Sequence, residues 1–124
     1  MKIILIIFFG GGLGSVLRFI VNRWVVGFVN SAFPYGTFIV NITGCFLIGF
    51  FVFYTERFGA NALNWRLFLI TGFCGGYTTF SSFSFENVQL MSDHQIFTML
   101  LYTFASIALG FLAAYGGILA ARNL

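Results

Sequence analysis

The chain has 124 residues, of which 60% are hydrophobic and only 7% charged, and its mean hydropathy is +0.99. That composition excludes an ordinary soluble domain and fits a single membrane-embedded one. A net charge of +3, drawn from six basic and three acidic residues, reads as membrane-flanking charge and not as a nucleic-acid surface.

Four apolar spans of about 20 residues are predicted. The first covers about residues 3–24 and the second about 36–54. The third covers about 65–90 and the fourth about 96–121. The opening run is too long for a signal peptide and has no clear small-residue cleavage site. The connections carry turn residues: Asn30-Ser31-Ala32-Phe33-Pro34, Gly59-Ala60-Asn61, and Met91-Ser92-Asp93-His94-Gln95. With four spans, Lys2, Arg57, Arg66 and Arg122 fall on one side, whereas Arg18 and Arg23 lean to the other. So small a bias permits insertion in either direction.

In the first span, Gly10, Gly11, Gly12, Gly14 and Ser15 offer a small-residue face for close helix contact. Arg18 lies more than a turn inside that helix. Two readings fit it: it snorkels to the interface, or it draws anions into a vestibule. In the second span, Asn41 follows Thr37 by one turn and precedes Gly44 and Cys45 by another. Its amide can bind a neighbouring helix or donate hydrogen bonds to an anion. Cys45 and Cys74 read as small buried residues without disulfide or metal chemistry.

The third span is the most informative. From Gly72 to Glu86 it holds three glycines, five Ser or Thr hydroxyls and a carboxylate. An unsatisfied polar group in hydrocarbon costs several kcal/mol, so this pattern predicts a helix that breaks at membrane depth. Such a break is tolerated where the freed groups are buried in protein or line an aqueous path. A kinked, closely packed helix is the simpler alternative. If a new helix begins at Thr79 or Phe80, then Phe80, Phe83 and Glu86 share one face. The positive edge of an aromatic ring can approach an anion that its face would repel. On the fourth span, Tyr102, Ser106, Gly110 and Ala114 recur every fourth residue. That stripe serves as a packing seam or as a polar track.

The string Gly75-Gly76-Tyr77-Thr78-Thr79-Phe80-Ser81-Ser82-Phe83, followed by Glu86, resembles the Fluc-type bacterial fluoride channels. Gly36-Thr37 leading to Asn41, and the glycine-rich first helix running to Arg18, extend the resemblance over essentially the full chain. It implies an all-α membrane protein of four transmembrane helices, the third broken near the midplane. It further implies an antiparallel, dual-topology homodimer in the cytoplasmic (inner) membrane of a bacterium, with two narrow pores that export fluoride passively. Phe80 and Phe83 would turn ring edges toward fluoride, with Asn41 donating hydrogen bonds and Thr79 and Ser81 supplying hydroxyls. Tyr102 and Ser106 would continue the polar track, and Arg18 would stand at the vestibule. A structural sodium ion would be held by backbone carbonyls at Gly75 and Thr78.

The chemistry is consistent with that assignment. Fluoride is strongly hydrated, so a selective path must replace its water with several weak donors, because multi-site weak binding permits release. A small proton-coupled multidrug antiporter is the alternative. It should carry a membrane-embedded carboxylate, yet the first two spans have none before Glu56 and Glu86 lies near a predicted helix end. A scaffold built on glycine faces leaves the Thr-Thr-Phe-Ser string without a task. An enzyme has no clustered nucleophile, base or metal set to work with, since His94 sits alone in a loop.

Overall fold

A computed structural model describes all residues, Met1–Leu124, and every regular element is helical. Helix α1 spans Lys2–Phe28, and α2 spans Tyr35–Tyr54. A 3₁₀ segment, Thr55–Asn61, leads into α3, residues 62–77. Within α3, Ala62–Arg66 and Gly75–Tyr77 are α-helical, while Leu67–Cys74 is wound as a wider π-helix. Helix α4 spans Phe80–Ser92 and α5 spans Ile96–Arg122.

Three helical stretches are long and apolar enough to cross a membrane: Lys2–Phe28, Tyr35–Ser92 and Ile96–Arg122. The sequence separates the second and third spans by a turn at Gly59-Ala60-Asn61. The structure keeps that turn, as a kink between α2 and α3 within the stretch Tyr35–Ser92. Short 3₁₀ turns lie on either side of the kink. Gly59 supplies the bend, with φ 55° and ψ −122°, a conformation glycine adopts without steric cost. The chain then folds back far enough for Arg66 to donate from Nη2 to the Val52 carbonyl at 3.4 Å. Helix α1 also continues past the expected end at Trp24, to Phe28.

Burial runs opposite to that of a soluble protein. Only 18 of 124 residues are buried, while Phe8, Phe9, Phe19 and Trp24 on α1 face outward. Phe97, Phe104, Phe111 and Tyr115 do the same on α5. Rings on such a surface would drive association in water, but they match hydrocarbon.

Small residues hold the interior together. A Cβ added at Gly10 would meet the Phe68 carbonyl oxygen, and one at Gly14 would meet that of Phe73. From the facing side, a Cβ at Gly76 would meet the Gly11 carbonyl oxygen. The α1–α3 contact is therefore backbone against backbone, as glycines four residues apart allow. Helices α2 and α5 use the same device, with Gly49 against Ala114 and Gly117 against Phe46 and Phe50.

Candidate functional site

The helical ladder of α3 stays intact through the Thr78 N–H, which donates to the Cys74 carbonyl at 3.0 Å. Thr78 (φ −81°, ψ 156°) and Thr79 (φ −148°, ψ 116°) are then extended, and α4 begins at Phe80. Thr79 is the N-cap of α4: its Oγ1 accepts from the Ser82 N–H at 3.2 Å. The Thr78 hydroxyl bonds back to the Cys74 carbonyl at 2.9 Å.

Asn41 sits directly against this interruption. Its Oδ1 accepts from the Thr79 N–H at 2.8 Å, and its Nδ2 donates to the Thr79 carbonyl at 3.1 Å. One turn earlier on α2, the buried Thr37 hydroxyl donates to Glu86 Oε1 at 2.6 Å. Thr43 and Tyr77 share a hydroxyl contact of 2.9 Å. The polar side chains of α2 thus face the end of α3 and the start of α4.

An open cavity of about 510 Å³ gathers most of the residues singled out by sequence. Asn41, Gly75, Thr78, Thr79, Phe80, Phe83 and Ser106 all line it. Phe80 is 78% exposed, and its ring centroid lies 5.8 Å from that of Phe83. Phe83 in turn lies 5.0 Å from Tyr102. Tyr102 is fully buried, and its hydroxyl and that of Ser106 have no hydrogen-bond partner in the chain. The α5 stripe packs as a seam along part of its length. Gly110 and Ala114 pack toward α2 while the two hydroxyls are left with unused bonding capacity.

Ser81, Arg18 and Tyr102 do not line that cavity; Tyr102 is buried behind Phe83. Ser81 is exposed, with its hydroxyl 3.2 Å from Thr79 Oγ1. Arg18 lines a separate cavity of about 330 Å³ with Ser15, Asn22, Arg23, Thr37, Thr79 and Ser82. Thr79 is therefore flanked by cavities on two sides. The Arg18 cavity shares Asn22, Thr37 and Ser82 with a third, of about 520 Å³, that holds Glu86, Gln89 and Asp93.

Sequence reasoning missed the Thr37–Glu86 pair and the role of Asn87. The latter donates to the Phe83 carbonyl at 3.0 Å and accepts from Thr103 Oγ1 at 3.1 Å, tying α4 to α5. An amide and a carboxylate inside an apolar span were the available signals.

With this geometry in view, residues 5–118 match the family model described as CrcB-like protein, Camphor Resistance (CrcB). The chain is similar to the fluoride-specific ion channel FluC of Flavobacterium psychrophilum, 48% identical over the full length of both. It is 46% identical to FluC of Rhizobium meliloti, over all of this chain and 99% of that one. FluC of Chlorobium chlorochromatii is 43% identical over 96% of this chain and 92% of its own. The chain belongs to the CrcB-like family.

Proposed function

We propose that the chain is a fluoride-specific ion channel, as its relatives are named, and not an enzyme. The observation that carries this reading is the convergence of Asn41, Thr79, Phe80, Phe83 and Ser106 on one cavity, with the Ser106 hydroxyl unpartnered. Hydroxyls and ring edges are weak anion ligands that together replace water without holding the ion permanently. Family membership displaces the multidrug-antiporter alternative.

Length favours four crossings. At about 1.5 Å per residue, the residues of Tyr35–Ser92, 58 in all, are far more than one crossing of the roughly 30 Å hydrocarbon core requires. Folded at Gly59, that stretch crosses twice, and the extended Thr78-Thr79 pair comes to lie near the midplane. The open cavity and the mostly exposed Phe80 support a second copy that closes the path. Antiparallel pairing would bring two interruptions together and enclose two pores, in the cytoplasmic membrane of a bacterium.

The residues fit a structural sodium ion. Gly75 and Thr78 end a helix, where carbonyl oxygens lose their helical donors. Gly75 is exposed on the cavity, and nothing but the Ile70 carbonyl oxygen, 3.9 Å away, lies near its Cβ position. Carbonyl oxygens suit a hard cation, which would supply a fixed charge that joins the two subunits. One chain offers few such ligands; two chains offer twice as many.

Fluoride efflux from proteoliposomes, compared with chloride, tests the function: purified protein should raise fluoride permeability above that of empty liposomes, and no increase refutes the channel. Dual insertion has its own test. A cysteine added at the C-terminus, with Cys45 and Cys74 replaced, should label from both sides of the membrane. Labelling from one side alone refutes the antiparallel dimer.

A further inference from the structure

We infer that Asn41 is a positioning residue: its carboxamide captures the Thr79 backbone and thereby leaves the Gly75 carbonyl oxygen free as a cation ligand. This role rests on the sodium site proposed above.

In an uninterrupted helix the Thr79 N–H would donate to the Gly75 carbonyl four residues back. The preceding N–H, that of Thr78, still follows the rule and donates to Cys74. The ladder departs from helix at the residue that Asn41 grips, where the Thr79 N–H turns to Oδ1. Nδ2 closes a second bond on the same residue's carbonyl, so the two bonds fix the Thr79 peptide groups from both sides. Thr79 is buried, and a buried N–H demands a partner. Without the carboxamide, the nearest regular solution is the Gly75 carbonyl, which would be drawn back into the helix. An amide is the fitting side chain because it offers an acceptor and a donor side by side and carries no charge near the cation.

The test uses the full-length dimer with ¹³C-labelled threonine. Thr79 Cα and Cβ chemical shifts report extended or helical backbone without reference to sodium. In parallel, sodium is titrated against potassium at constant ionic strength, and the midpoint for protection against thermal unfolding is read. The wild type should show extended Thr79 shifts and sodium-dependent protection. Asn41→Ala should move Thr79 toward helical shifts and weaken the sodium midpoint roughly 10–100-fold, as loss of an orienting partner does at other ion sites. Should Asn41→Ala not fold, Asn41→Gln keeps the amide but shifts its bonding atoms by a methylene, and a change of the same sign is expected. A folded variant with extended Thr79 and a wild-type sodium midpoint overturns the role of Asn41. Sodium independence of the wild type overturns the cation site itself, and shows in the wild-type arm alone.

Discussion

The two halves of α2 make contact in opposite ways. In its C-terminal half, Gly49 lies bare against Ala114, and Gly117 of α5 lies against the Phe46 and Phe50 backbone. This seam is held by close approach of backbone to backbone. In its N-terminal half, Thr37 binds Glu86, Asn41 binds Thr79, and Thr43 meets Tyr77. Those links reach the interruption at Thr78-Thr79 and the helices on either side of it. One helix therefore provides stability through small residues at one end and shapes a polar site through side chains at the other. The difference implies that substitutions in the first half act on folding, whereas those near the second can act on transport alone.

The largest effect is expected in the seam. Gly117→Val would set a branched side chain on the Phe46 carbonyl and the Phe50 amide, at a cost of ~3 kcal/mol or more. Loss of monodisperse protein on size-exclusion chromatography is the expected outcome. A wild-type elution profile and unfolding midpoint would mean that α2 and α5 are less tightly apposed than described. In the polar half, Thr37→Val removes the donor to Glu86 and should cost ~1–3 kcal/mol, read as a lowered unfolding midpoint. Tyr102→Phe separates stability from function. Its buried hydroxyl makes no hydrogen bond in the chain, so stability should hold or rise while fluoride flux falls. A clear loss of stability with unchanged flux would assign that hydroxyl to packing. The smallest effect belongs to Gly12→Ala. No atom lies within 4 Å of its Cβ position, so the unfolding midpoint should hold or rise, by at most about 1 kcal/mol.

The two halves of α2 also differ in how legible they are in sequence. Glycine faces are partly legible: Gly10 and Gly14 recur at helical spacing and read as a packing face, whereas Gly49 and Gly117 of the α2–α5 seam do not stand out. The unusual segment from Gly72 to Glu86 could be singled out because polar groups in an apolar run are costly and need a reason. Its partners could not. The bonds from Asn41 to Thr79 and from Thr37 to Glu86 join residues 38 and 49 positions apart. A bond from a side chain to a distant backbone leaves no periodic trace in either segment. For the same reason, Asn41 could be read as a donor to an anion or to a helix, but not as the group that holds Thr79. The turn at Gly59 is legible in sequence; the short 3₁₀ turns on either side of its kink are not, since glycine marks a bend without fixing what surrounds it.

The central claim is that fluoride moves along the cavity bordered by Phe80 and Phe83. Its most direct test is fluoride efflux from proteoliposomes carrying wild type, Phe80→Ile or Phe83→Ile, with the oligomeric state checked in the same preparations. Isoleucine keeps apolar bulk but removes the ring edge, and the exposed Phe80 makes no buried contact whose loss would unfold the chain. A marked fall in fluoride flux is expected for each variant, with the oligomeric state unchanged. Wild-type flux in both variants would contradict the claim.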